Sequence, residues 1–421
     1  MPKPAAAVAR RAAWSFGAQG ISSTSNFLLT LSILAVAGRR EFAVFSIGIT
    51  TYMLVSQLAR SAAAMPLMIV SSDQPEGQAR PEHQAAAGVA VLVGLLASAA
   101  LLVLAAMSSD GGEQFVILAA AMPLLMFQDC ARYVTFSRSQ PQIAAYSDAL
   151  WLTLQVAGSL IAWRLGWGTV PVLLAIWAAA GALAGLVAGS RLRIAPVFTG
   201  SLAWLKLNSG LCRKLVIEFG ANQGSYYLLH YGLAVLAGSD ELGYLRAAQT
   251  LIGPVIVILL AGNALGIPES VRLRRDTRKL RRLCLTFSGG LAGASLLWGL
   301  AVYLVLPVIG PRFFEASWQT ARPLIPALSV FAAAVGVSIG ANSGLRAFGE
   351  NAWILRARAI SGGIALVIGL PLSPVIGAHA VLLALAATES LFAAASWLRL
   401  TRSGGGSPDE EGEELESFVP Y

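Results

Sequence analysis

Residues 85–107, AAAGVAVLVGLLASAALLVLAAM, run for 23 positions without a charge. A helix rises about 1.5 Å per residue and the hydrocarbon layer of a bilayer is about 30 Å thick, so this block is long enough to cross it. Residues 169–189 and 285–310 are uncharged as well. One such block fits a buried core helix; a series of them in 421 residues cannot all find a dry interior in a soluble fold. Only 12% of the chain is charged, against about a quarter in water-soluble domains, and the mean hydropathy is +0.67. The expected fold is an all-α polytopic membrane protein.

Reading the apolar blocks in order predicts about 12 spans: 13–37, 42–70, 85–107, 114–136, 142–163 and 168–189, then 215–237, 242–267, 284–309, 321–348, 352–371 and 375–398. Residues 1–12 form a short N-terminus, 13–189 a first lobe, 190–214 a basic linker, 215–398 a second lobe and 399–421 an acidic tail. The tail lacks apolar periodicity and is expected to be disordered. Lys3, Arg10 and Arg11 ahead of an apolar stretch resemble a signal peptide, but that stretch is too long for a cleaved segment and is read as the first span.

The net charge of +8 does not sit on one block, so nucleic-acid binding is not expected. With the N-terminus inside, 23 Lys and Arg fall on its side of the membrane and 5 on the other, namely Arg39, Arg40, Arg164, Arg312 and Arg322. Basic short loops are retained in the cytoplasm, which puts both ends there, in a cytoplasmic membrane. The most basic loop, residues 269–282, reads as a topology anchor that also touches anionic lipid headgroups, or as a collector of an anionic substrate.

The chain repeats itself weakly. At a shift of 200, Gly20, Ala37-Gly38 and Glu41 align with Gly220, Ala237-Gly238 and Glu241; at a shift of 214, Arg132 aligns with Arg346. Six spans per copy give both copies the same orientation, hence two parallel six-helix lobes around a central cavity.

Within the spans stand groups that lipid would reject. Arg60 either snorkels to the headgroups or faces a cavity and meets an anion; Arg246 is an interface anchor or a cavity residue. Glu218, Asn222 and Ser225 share one helix face in span seven with Gln223 and His230 nearby, and span one carries Gln19, Ser22, Ser23 and Asn26. Gly17, Gly20, Gly220 and Gly224 allow these two helices to bend or to pack closely. Asp129, Arg132 and Asp148 form a cluster expected to staple two helices or to serve a gate. Glu389 and His379 are candidates to carry a proton. No phosphate-binding loop, catalytic carboxylate pair or nucleophile–base pair is present, and Cys130, Cys212 and Cys284 lack metal-ligand spacing. The chain is not expected to be an enzyme or to hold a cofactor or metal.

The opening RRAAWSFGAQG at 10–20, QDCARY at 128–133, YSDALW at 146–151 and ELGYLRAAQT at 241–250 resemble the multidrug/oligosaccharidyl-lipid/polysaccharide (MOP) flippase superfamily, in its polysaccharide-export or O-antigen flippase branch. The resemblance spans about residues 10 to 400. It implies two lobes in a V around a cleft, and a cargo of isoprenoid-diphosphate-linked oligosaccharide flipped to the outer leaflet. For such a cargo the cations and amides within the spans are the candidates: Arg60 and Arg246, then Arg346, for the diphosphate, and Gln19, Asn26, Asn222 and Gln223 for sugar hydroxyls, with polysaccharide polymerases or glycosyltransferases as partners. The alternatives are a proton- or sodium-coupled drug exporter of the same superfamily, and a non-transporting partner of a polysaccharide synthase.

Overall fold

The structure, a computed structural model, describes residues 4–71, 76–108, 111–313 and 317–403. Residues 1–3 of the N-terminus and 404–421 of the acidic tail lie outside the described residues. Among those described, every regular element is helical. Twelve long helices follow one another: α1 (Pro4–Val36), α2 (Arg39–Ser71), α3 (Glu76–Met107), α4 (Gly112–Ser137), α5 (Pro141–Arg164), α6 (Val170–Leu192), α7 (209–236), α8 (Ser239–Arg272), α9 (Thr277–Phe313), α10 (317–347), α11 (Asn351–Ile376) and α12 (Ala378–Ser403). The connections are short apart from the 193–208 linker, so successive helices run antiparallel. Both described chain ends then lie on one face of the bundle, called here the terminal face.

Nine helices among the described residues are long and apolar enough to cross a membrane. The other three, α1, α5 and α7, have similar length but are more polar, α1 and α7 through the stripes read in spans one and seven. Some of their polar groups are spent inside the protein: the Ser25 hydroxyl of α1 donates to Gln155 Oε1 of α5, and Gln155 Nε2 donates to the Ser25 carbonyl at 3.0 Å. Lipid would not satisfy such groups, so these helices face protein or water. The 190–214 linker is itself mostly helical. Phe198–Leu207 lies against α3, where Ser201 Oγ donates to the Ala85 carbonyl at 2.9 Å.

Most packing falls within α1–α6 and within α7–α12, which gives the two six-helix lobes. Ladders of glycine bring helices close in each. On α6, Gly181, Gly185 and Gly189 recur every fourth residue against Trp151, Gln128 and Phe127. On α10, Gly336, Gly340 and Gly344 do the same against Leu291, Ser288 and Cys284. At Gly340 an added Cβ would stand 2.5 Å from the Cys284 backbone oxygen, closer than any side chain tolerates. This spacing is the small-residue interface that dense helix packing in lipid requires. Above it in the first lobe, Trp177 is fully buried, edge-on to Tyr52 at 5.1 Å and 5.3 Å from Trp151, whose Nε1 donates to the Trp177 carbonyl.

The lobes repeat with the same sense. Gly38 and Gly238 each precede the second helix of a lobe, and Glu41 accepts the Gly38 N–H at 3.1 Å, so the shift of 200 holds there. The second echo needs correction. Ser139 and Gly349 both adopt positive φ (56° and 79°), and the amides after them, of Gln140 and Glu350, bond to the Thr135 and Leu345 carbonyls. That turn matches at a shift of 210, not 214, so Arg132 corresponds to Asn342 rather than Arg346. In sequence two cations outweighed an unremarkable turn; in the chain, the turn geometry sets the register.

The basic loop is exposed and self-paired: Arg272 meets Glu269 at 2.6 Å and Lys279 meets Asp276 at 3.0 Å. Asp276 caps α9 by accepting the Lys279 backbone N–H, which with the neighbouring cation holds its carboxyl below the ordinary range.

Candidate functional site

Helix α2 of the first lobe meets α7 and α8 of the second along one seam. From the face opposite the termini, the contacts run in order along α2. The Arg39 guanidinium lies 5.6 Å over the Tyr244 ring, and Gly243 lets α8 approach the Ala43 backbone. Thr51 Oγ1 and the Tyr231 hydroxyl share a hydrogen bond of 2.8 Å, and Arg246 Nη2 reaches Met53 Sδ at 3.0 Å. Gln57 Nε2 donates to Gln223 Oε1 at 3.3 Å. At that level both helices carry a π-turn: Arg60–Ala64 follows Gln57 in α2, and Gly220–Gly224 in α7 contains Gln223. Such a turn inserts an extra residue, loosens the helical ladder and recurs at functional positions.

Directly below the seam lies a chain of charges. Arg60 forks onto Asp129 of α4, with Nε to Oδ2 at 2.7 Å and Nη2 to Oδ1 at 2.8 Å, while its Nη1 donates to Gln57 Oε1 at 2.7 Å. Arg132 stands 3.6 Å from Asp129 and 3.1 Å from Asp148 of α5, and Gln128 Nε2 donates to Asp148 Oδ1 at 3.1 Å. Two cations and two carboxylates leave the cluster neutral. Neutrality is what permits burial: the Asp129, Arg132 and Asp148 side chains are 6%, 6% and 1% exposed, Arg60 28%. Asp129 lies eight residues before the end of α4, about 12 Å inside the terminal face. The cluster thus ties α2, α4 and α5 together and hands one bond, through Gln57, to the other lobe.

Arg246 differs from all of these. It sits seven residues into α8, about 10 Å from the far end. Its guanidinium lies near Tyr226 and Tyr227, and Met53 Sδ is its one hydrogen-bond partner among the described residues. Nε is buried without a partner, and no described carboxylate lies within ion-pair distance. A half-buried cation whose Nε is sealed from water, with a thioether for company, is costly unless an anion joins it.

The other sequence candidates fall in three places. Gln19, Glu218, Asn222 and Gln223 are exposed, and a Cβ added at Gly17, Gly20, Gly220 or Gly224 would meet nothing within 4 Å, so these stretches of α1 and α7 border open space. Asn26 is half-buried, with Oδ1 unpartnered. Arg346 is exposed on the last turn of α10, at the bundle's end instead of at hydrocarbon depth. His379 lies at the start of α12, while Glu389 is buried within it.

Sequence reading passed over the partner of Glu389. Arg358 of α11 pairs with it, stacks 4.0 Å over Phe392, and Ser338 Oγ donates to Glu389 Oε1 at 2.8 Å. Arg358 follows the start of α11 by seven residues, as Asp148 follows the start of α5. The same position in the two lobes therefore holds opposite charges, each neutralised by a neighbouring helix. The count of basic residues assigns Arg132 and Arg358 to the loops; both are inside helices and ion-paired, which leaves the charge imbalance between the two faces nearly unchanged.

No protein-family model and no curated protein sequence matches the chain. Solved structures do. A multidrug resistance MATE family transporter of the MOP superfamily, inward-facing, superposes with a TM-score of 0.66 at 12% identity, covering 93% of this chain and 99% of that one. The lipid II flippase MurJ in an inward closed conformation gives 0.68 at 10% identity over 92% and 89%. A MOP superfamily transporter from Pyrococcus furiosus, described as having a binding pocket of reverse polarity, gives 0.56 at 13% identity over 94% and 95%. The chain is a multi-pass membrane protein with the fold of the MOP superfamily.

Proposed function

We propose that this chain, built on the MOP fold, moves an isoprenoid-diphosphate-linked oligosaccharide or related polysaccharide precursor across the cytoplasmic membrane by alternating access. In this reading the terminal face is cytoplasmic, as the positive-inside rule asks. The observation that carries it is Arg246: a half-buried guanidinium at the lobe seam, its Nε unpartnered and without a carboxylate, backed by tyrosine rings. A diphosphate supplies the missing anion, because its oxygens accept paired N–H bonds from the guanidinium fork. Asn222, Gln223 and Gln19, on the open stretches of α1 and α7, suit sugar hydroxyls, while the isoprenoid stays between the lobes in lipid. No covalent step is needed. The seam contacts hold the far side shut, and the cargo crosses when they exchange for contacts at the terminal face.

The likeness to MATE transporters supports a second reading, a cation-coupled exporter of small solutes. Against it, the first-lobe carboxylates Asp129 and Asp148 are already neutralised by Arg60 and Arg132. A leaflet-accessibility assay on lipid-linked sugars separates the two. Arg246→Gln is expected to lower the externally accessible sugar at least about tenfold at unchanged membrane abundance, the loss of one charge-assisted contact, with Arg246→Lys restoring part of it. Normal accessibility in Arg246→Gln would refute the diphosphate grip, and altered drug resistance in its place would favour the exporter.

A further inference from the structure

Helices α11 and α12 leave a groove on the side of the second lobe, away from the seam. Its volume is about 450 Å³, within the range of small-molecule pockets, and Trp353, Arg356, Ile360, Ile364, Leu391 and Ala395 line much of it. Trp353, Arg356, Ile360 and Ile364 follow a helical stripe on α11, so the lining is ordered by depth. Trp353 and Arg356 stand within the first two turns, at the terminal face, and Ile364 lies eleven residues beyond Trp353, about 16 Å deeper. That is the thickness of one leaflet.

The floor offers no polar group to a guest. Ser361 Oγ donates to the Thr388 carbonyl at 3.1 Å and Thr388 Oγ1 to the Ala384 carbonyl at 2.8 Å. Behind it, Arg358 is consumed by Glu389. At the mouth, by contrast, Arg356 is exposed and meets no carboxylate among the described residues. An aromatic and an unpaired cation at headgroup level, above an apolar trough one leaflet deep, match an amphiphile with an anionic head and an acyl chain.

We propose that this groove is a binding site for one anionic phospholipid of the leaflet at the terminal face, its phosphate on Arg356 and one acyl chain along Ile360, Ile364 and Leu391. The site is separate from the lobe seam and does not depend on the transport reading.

Native mass spectrometry of the full chain, released from vesicles of equal phosphatidylglycerol and phosphatidylcholine, tests it. The wild type is expected to retain one phosphatidylglycerol in preference to phosphatidylcholine. Arg356→Gln should lower that retention about fivefold, the worth of one basic residue at a lipid surface, while Arg356→Lys keeps most of it. Ala395→Trp, which fills the trough from its lipid-facing side, should remove the bound lipid altogether, and Arg402→Gln, a nearby cation outside the groove, should change nothing. Equal retention by wild type and Arg356→Gln, no preference between headgroups, or lipid still bound in Ala395→Trp would each overturn the site. Displacement of the phosphatidylglycerol by an equal amount of a polyprenyl phosphate would overturn its assignment to phospholipid.

Discussion

Replacing Asp129 by Asn removes the carboxylate on which Arg60 forks and beside which Arg132 sits, while keeping the size of the side chain. The perturbation leaves two cations facing Asp148 alone, so the cluster goes from neutral to a net positive charge. Breaking a buried ion pair from one side costs about 3–5 kcal/mol, because the stranded partner stays desolvated. Arg132, 6% exposed, keeps Asp148, whereas Arg60, 28% exposed, keeps Gln57 and has some access to water. These retained contacts place the cost at the lower end, about 3 kcal/mol, or about 150-fold in the folding equilibrium. Reversible unfolding in mixed SDS and mild detergent, followed by tryptophan fluorescence, measures it. The companion variant is Arg60→Gln with Asp129→Asn, in which both charges leave together. It should be less destabilised than the sum of the single changes by about 2 kcal/mol, the coupling of groups in direct contact. If Asp129→Asn unfolds within about 0.5 kcal/mol of the wild type, or if the two single changes simply add, the fork does not hold α2 to α4 and the account of the cluster is wrong.

Two further outcomes follow from the packing and the seam. Gly340→Ala should destabilise the protein by about 1–3 kcal/mol, since its Cβ would press on the backbone of α9, whereas Gly17→Ala, bordering open space, should stay within about 0.5 kcal/mol; the same unfolding assay compares them. Gln57→Cys with Gln223→Cys, joined by a short bifunctional thiol reagent, should hold α2 against α7 and stop transport reversibly on reduction. The three native cysteines are free and buried, so a block that also appears in the wild type would tie the effect to them and not to the seam.

Much of this architecture could be read along the chain because a bilayer leaves few options. An uncharged run of more than twenty residues has to cross it as a helix, and the sequence alone therefore determined the all-helical plan, the order of the spans, the charge imbalance between faces and the fact that Arg60, Asp129, Asp148 and Arg246 stand where lipid would refuse them. The Gly38 and Gly238 junctions were legible for the same reason, as local turn chemistry. Pairing was not. Whether Arg60 meets an anion or water depends on which helix lies beside α2, and only the packing of α4 against it supplied Asp129. Glu389 looked like a lone proton carrier until α11 brought Arg358 across, a contact between residues 31 positions apart in sequence. The 210-residue register rests on a backbone turn that leaves no side-chain signature, since Ser139 and Gly349 share a conformation and not a chemistry. Charge at depth is a property of residue type and position in a span; its neutralisation is a property of neighbours, and neighbours exist only once the helices have packed.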